Sequence, residues 1–343
     1  MCIWTAYAGK KEAAPVVYET LRKTEGYWAG HYTGIATCHQ GKLYLKKCCG
    51  NTGIFAERFN LADLPGNMAI AHSRTASGGL DNRAQPHIGY KGLVALHSQG
   101  SAGVFANERH LHTEVLLRLY AEGFRPNSGG PAEAGMREIP GLVTPDGKQI
   151  SAADVATCAI ESAYLKHGDV VRALREASLP LSGEHCSVCL FADKPGMIGF
   201  ININQRLCYA FEEDGVYMGT TMESLPGTGV EIPGNSIGYV TADGTLHLEK
   251  LGPYKINSTV PDGLAQAAID YLRENPKSLL AHICDKALRP LFNKNELDYH
   301  APAVYRVIEE LLKAGIVTRE ESLRPNASTG MPGRVFLWSL KNQ

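Results

Sequence analysis

Ala71-His72-Ser73-Arg74-Thr75-Ala76-Ser77-Gly78-Gly79, followed by Asn82-Arg83-Ala84-Gln85-Pro86-His87, is the stretch on which the fold assignment turns. Ala69–Arg74 is expected to be a strand that ends on a charge. The small residues after it make a turn, and Pro86 leaves no room for a helix directly behind that turn.

Working outward, Cys2–Tyr7 reads as a first strand and Ala14–Lys23 as a helix with Pro15 in its first turn. Gly30–Cys38 and Leu43–Cys48 form a hairpin around Gln40-Gly41, and Leu93–His97 is another strand. Glu108–Glu122 is helical, with Leu111, Val115, Leu116 and Leu119 at core spacing. A Gly- and Pro-rich loop, Phe124–Lys148, leads to helices at Ala152–Lys166 and Val170–Glu176. Six short strands follow between Cys186 and Leu248, the last two joined by Asp243-Gly244. Strands, then helices, then strands suggest antiparallel sheets covered by helices, an α+β fold.

The chain has 343 residues, with 44% apolar, 20% charged and 34 Lys+Arg against 35 Asp+Glu. This balance excludes disorder from low hydrophobicity and a whole-chain polycation held to nucleic acid by counterion release. No apolar run reaches the length of a membrane span, and Lys10-Lys11-Glu12 close the short apolar start, so neither a membrane partner nor a secretory leader is expected. Nine cysteines, an odd number, read as reduced thiols in a cytoplasmic protein.

Cys2 is the most informative of them. Removal of Met1 leaves a cysteine with both a thiol and a free α-amine, whose pKa near about 8 suits it as a general base. The bland alternative is an inert core cysteine in the first strand.

The quoted stretch resembles the H-x-R-x-(A/S)-(S/T)-x-G … N-A-(H/Q)-P-(F/H) signature of class II glutamine amidotransferases, a family of N-terminal-nucleophile hydrolases. The glutaminase domains of glucosamine-6-phosphate synthase and phosphoribosyl pyrophosphate amidotransferase typify it. Further similarities follow in the same order. Leu96-His97-Ser98-Gln99-Gly100 stands at the family's H-N-G turn, and His112-Thr113-Glu114-Val115 at its D-T-E-V. Gly215–Pro226 stands at its F-x-A-S-D-x-x-A-L-x-P segment, so the resemblance covers about residues 2–250.

The resemblance implies a four-layer αββα sandwich and an amide-hydrolysing mechanism that needs no cofactor or metal. Cys2 is then the nucleophile, forming a thioester and releasing ammonia. Gln99 and Gly100 supply the oxyanion donors. Arg74 grips the α-carboxylate of glutamine with its planar fork, unless it is a structural ion pair at a strand end. Ser77, His87 and His112 complete the expected substrate contacts. Two residues depart from the family. Gln99 is one methylene longer than the family's asparagine. His112 replaces the aspartate that faces the ammonium of glutamine, a role an imidazole cannot fill. Either another acid, Glu114 or Asp81, takes over, or the substrate is a different amide.

Other motifs carry less. Ser77-Gly78-Gly79-Leu80-Asp81 is similar to the S-G-G-x-D pyrophosphate loop of ATP-using amide synthetases, but Pro86 interrupts the helix that such a loop must open. Cys186 and Cys189 have C-x-x-C spacing on a strand, which sends their thiols to opposite faces and argues against zinc.

The pattern changes near Gly252–Asp262. Helices are expected at Leu264–Leu272, Ser278–Leu288 and Ala303–Ala314, followed by a polar excursion over Arg319–Gly333 and a strand at Arg334–Leu340. Three helices and a β-wing make a winged-helix-like outline, dividing the chain into 2–254 and 255–343. From Lys255 to Lys341 there are twelve Lys+Arg and ten Asp+Glu, a net of +2, and the third helix is charge-balanced. Docking or homo-oligomer formation therefore suits this unit better than nucleic-acid binding, although the arginines around the wing keep the latter open.

The favoured function is release of ammonia from glutamine, or a related amide, for a separate ammonia-accepting synthase subunit. The alternatives are a non-catalytic amino-acid sensor on a degenerate glutaminase fold and a hydrolase acting on another amide.

Overall fold

The computed structural model describes residues 2–28, 30–75, 81–102, 109–128, 143–145, 147–178, 183–252, 260–292, 301–326 and 330–341. The chain opens with β1 (Cys2–Gly9), α1 (Ala13–Thr24), β2 (Tyr32–His39), β3 (Lys42–Cys49), α2 (Thr52–Arg58), β4 (Met68–Arg74), β5 (His87–Ile88) and β6 (Val94–Ala102). Three helices follow: α3 (Arg109–Ala121), α4 (Ala152–His167) and α5 (Val170–Ser178). Then come β7 (Gly183–Phe191), β8 (Met197–Ile203), β9 (Cys208–Glu212), β10 (Gly215–Gly219), β11 (Val230–Glu231), β12 (Ser236–Thr241) and β13 (Leu246–Lys250). The C-terminal part holds α6 (Leu264–Glu274), β14 (Ser278–Leu279), α7 (Leu280–Ile283), α8 (Ala301–Lys313), β15 (Val317–Arg324) and β16 (Gly333–Leu340).

One sheet has the order β11-β9-β10-β1-β4-β2-β3 and a second the order β13-β12-β8-β7-β6-β5. Neighbouring strands in both sheets pair antiparallel, as the strand–helix–strand order implies. Sequence alternation sets the layers. On β1, Trp4, Ala6 and Ala8 enter the core between the two sheets, where they meet Ala95, Val188 and Phe200. Ile3 and Tyr7 enter the opposite core, beneath Val17 and Leu21 of α1. Leu116, Ile160 and Leu174, from α3, α4 and α5, cover the far face of the second sheet. The result is a four-layer αββα sandwich. The β2–β3 turn is made by Gln40 and Gly41, both left-handed (φ 49° and 74°), which matches the twist of the flanking strands.

The C-terminal elements form a three-stranded sheet, β14-β16-β15, with helices beside it. Two expectations change here. The helix expected over Ser278–Leu288 starts as the two-residue strand β14 and continues from α7 into a π-helical turn, Cys284–Leu288. The polar excursion holds most of an eight-residue strand, β15, which starts two residues before it and whose Arg319 lies opposite Trp338 of β16. Pairing to an apolar neighbour makes this strand, not its own composition. The boundary expected at 254/255 lies outside the described residues. Val304, Ile308, Phe336 and Trp338 of this C-terminal part share one core with Ile3, Leu21 and Tyr27.

Candidate active site

Cys2 begins β1, between β4 and β10 in the middle of the first sheet, and its Cα pairs with that of Arg74 at the end of β4. It lies on the same face of the strand as Trp4 and Ala6, toward the second sheet. The Trp4 ring meets that of His97 on β6 at 5.0 Å, and His72 of β4 stacks on His97 at 5.4 Å. The two sheets therefore close on each other one step below Cys2. Cys2 is partly exposed, while the eight other cysteines are buried. Burial pushes the Cys186 and Cys189 thiols up, and that of Cys48 up to about 12, which keeps them protonated and inert. Cys186 points into the core between the sheets and Cys189 into the helix-facing core, so the C-x-x-C pair is splayed.

The Arg74 guanidinium lies 5.6 Å from the centre of the Tyr32 ring, and its Nη1 donates to the Arg83 carbonyl at 3.0 Å. Among the described residues no carboxylate pairs with it, so the structural ion pair weighed for this position is not what holds it. The second half of the signature has a clear local job. Gln85 Oε1 accepts from the Ser98 N–H at 2.7 Å, which fixes the β6 segment that carries Gln99. Gly100 has φ 99°, a conformation that glycine alone adopts freely.

Gln99 is fully buried. Its Nε2 donates to Gln205 Oε1 at 3.3 Å, and its Oε1 accepts from Thr220 Oγ1 at 3.3 Å. Thr220 Oγ1 in turn accepts from the Trp4 N–H at 3.2 Å. His87 is buried, with Nδ1 3.3 Å from Lys47 Nζ; burial and the Lys47 charge push its pKa well down. Lys47 is itself lowered to about 8 by burial. His72 is lowered well below its ordinary value and His97 to about 3, both chiefly by burial. Among the described residues, the end of the inter-sheet space thus presents Arg74 without a carboxylate partner, beside neutral imidazoles, with Lys47 held by the Asn82 carbonyl and His87.

The structure brings Cys2, Arg74, Gln99 and Gly100 to one end of the two sheets. Ser77 lies outside the described residues. His112 is in the first turn of α3, where the backbone alone is described. Of the acids that could replace the family aspartate, Asp81 is held by Arg58 at 2.6 Å and by the Cys49 N–H at 2.8 Å. Glu114 is on the exposed side of α3. Sequence reasoning did not single out Gln205, Thr220 or Tyr305, whose hydroxyl donates to the Cys2 carbonyl at 3.3 Å. Thr220 lies inside the quoted Gly215–Pro226 segment, but no spacing marks the other two.

No protein-family model matches the chain. It is 30% identical over 198 residues (57% of the chain) to a glutamine–fructose-6-phosphate aminotransferase (isomerizing) from Pyrococcus horikoshii. It is 27% identical over 200 residues (58% of the chain) to the enzyme of the same name from Caldanaerobacter subterraneus. The match spans 28% of the length of each. Among solved structures, the glutamine phosphoribosylpyrophosphate amidotransferase from B. subtilis superposes with a TM-score of 0.56 at 14% identity, over 77% of this chain and 52% of that one. A structure described as the allosteric regulatory enzyme of purine biosynthesis gives 0.57 at 15% identity, over 81% and 53%. The four-layer sandwich is the N-terminal-nucleophile hydrolase fold, and no helix among the described residues is long and apolar enough to cross a membrane. Over more than half of its length the chain is thus similar in sequence to glutamine–fructose-6-phosphate aminotransferases, and it shares its fold with the phosphoribosylpyrophosphate amidotransferase.

Proposed function

We propose that this chain hydrolyses the side-chain amide of glutamine with Cys2 as nucleophile and releases ammonia to an acceptor held by a separate domain or subunit. The observation that carries the reading is the pairing of Cys2, the one partly exposed cysteine, with Arg74, a half-buried cation without a carboxylate partner among the described residues.

In this mechanism Met1 is removed and the free α-amine of Cys2 takes the thiol proton. The sulfur attacks the amide carbon, and the carbonyl oxygen gains negative charge. Gln99 meets that charge: its side-chain nitrogen has two hydrogens, one given to Gln205 and the other turned to the oxyanion together with the Gly100 N–H. The α-ammonium then returns the proton to the leaving nitrogen, ammonia departs, and water cleaves the thioester. Arg74 anchors the substrate carboxylate, with Ser77, His87 and His112 as the further substrate contacts. Burial keeps His87 neutral, so it binds as a dipole and not as a charge.

His112 and the engagement of Asp81 by Arg58 favour a second substrate, an amide with a carboxylate at its far end and no ammonium. Ammonia release by protein with a processed N-terminus, set against Cys2→Ala, tests both. Release from glutamine supports the first reading, and release only from amides lacking the α-ammonium supports the second. Tight glutamine binding without release converts the site into an amino-acid sensor.

The C-terminal part, read as a winged-helix-like domain over 255–343, serves here as a docking module for the same chain. Its third helix, α8, gives Val304, Ile308 and Leu311 to the core it shares with β1 and α1, which leaves that face unavailable to nucleic acid.

A further inference from the structure

We propose that α8 is a positioning element of this amide-hydrolysing site, holding the Cys2 end of β1 and the Gln99 amide in place through Tyr305 and Glu309. The inference rests on the roles given above to Cys2 and Gln99. Tyr305 and Glu309 are four residues apart, one above the other on one face of α8. Tyr305 is fully buried, and its hydroxyl donates to the carbonyl of Cys2 itself.

Glu309 reaches both walls that hold Gln99. One carboxylate oxygen accepts from the Met222 N–H at 2.9 Å, two residues beyond Thr220, the residue that donates to Gln99 Oε1. The other lies 2.7 Å from Nη2 of Arg206, next in sequence to Gln205, which receives the Gln99 amide. Arg206 is 3% exposed and Glu309 12%. Glu231 completes the cluster, 2.8 Å from Arg206 and 2.9 Å from the exposed Arg306. At that depth the pair is weakly screened. Removing the carboxylate leaves Arg206 buried with a single acid, and the segment carrying Gln205 must shift to rehydrate it. Two independent segments, 205–206 and 220–222, are thus tied by one side chain from outside the sandwich. Burial raises the Glu309 pKa, and Arg206 with the Met222 and Glu223 N–H groups opposes that rise.

Glu309→Gln keeps shape and removes the charge. It is expected to lower kcat for ammonia release about tenfold while KM stays within about twofold, because a displaced oxyanion donor is felt in the transition state and not in ground-state binding. Glu309→Asp should recover part of the loss. Glu310→Gln, on the same helix but exposed, controls for docking alone and should leave kcat unchanged. A second readout does not depend on turnover: the side-chain amide resonances of Gln99 and Gln205 in the full chain, assigned by single-residue substitution. They should move in Glu309→Gln and stay in Glu310→Gln. Unmoved Gln99 resonances in folded Glu309→Gln protein overturn the proposal, as does an unchanged kcat in an active enzyme. If the wild type releases no ammonia but the resonances move as stated, the glutaminase reading fails and the positioning role of α8 stands.

Discussion

Cys2 and Arg74 lie directly opposite each other on neighbouring antiparallel strands, where β1 begins and β4 ends. A strand pair delivers a thiol and a guanidinium to one end of the inter-sheet space with no loop in between, so their separation is set by sheet geometry. Tyr32, paired with Arg74 from the other side on β2, supports the guanidinium with its ring.

Arg74→Ala should weaken substrate capture: losing a charge-assisted contact costs about 1.5–3 kcal/mol, or roughly ten- to a hundredfold in kcat/KM. Arg74→Lys should restore only part of it, because an ammonium lacks the two-point fork. Steady-state kinetics with glutamine, and with an analogue lacking the α-carboxylate, measure this. The analogue should be insensitive to both changes.

His112→Asp restores a carboxylate facing the ammonium of glutamine. In a glutaminase it should raise kcat/KM for glutamine by roughly three- to tenfold, the range of a single added charge pair. For an amide without an ammonium the same change should lower it. Comparing the two substrates with one variant settles which end of the substrate His112 meets.

Glu25 is fully buried, receives hydrogen bonds from the Thr52 N–H and hydroxyl, and lies 3.2 Å from Arg334 of β16. Burial raises its pKa from 4.5 to about 7, outweighing these partners. The folded state therefore holds the proton more tightly than the unfolded chain. That contribution to stability is complete below pH 4.5 and is lost as the pH rises to 7, on the order of 3 kcal/mol in all. Thermal unfolding of wild type against Glu25→Gln between pH 4.5 and 7 should show the wild type losing its advantage. Parallel curves refute the assignment.

Arg319 is one of the arginines around the wing, yet its guanidinium is paired with Glu223 and lies 4.1 Å from the centre of the Phe336 ring. Arg319→Ala should therefore lower stability by about 2 kcal/mol or more, since it leaves Glu223 and Tyr27 without their cation. DNA binding should not change with it. Urea unfolding and a duplex-binding titration at two salt concentrations check the two halves.

The sandwich was legible through the family resemblance that the motifs on β4 and β6 carry, while the order of strands and helices was only compatible with it. Trp4, Ala6 and Ala8 on one face and Ile3 and Tyr7 on the other read as a strand buried on both sides. The position of Arg74 at a strand end followed from the small residues after it. β15 was not legible: Thr318–Arg324 is mostly polar and mostly exposed, and it is a strand because β16 lies beside it. Nor was the grip of α8, since Tyr305 on Cys2 and Glu309 on Arg206 join residues 303 and 103 positions apart. No periodicity reports such contacts.

The most direct measurement is the intact mass of native-host protein before and after treatment with a glutamine-like diazoketone, with the label mapped by peptide analysis. A starting mass without Met1, one label per chain on Cys2, parallel loss of ammonia release, and no label in Cys2→Ala are expected. Protein with a free Cys2 that takes no label and releases no ammonia from glutamine would contradict it.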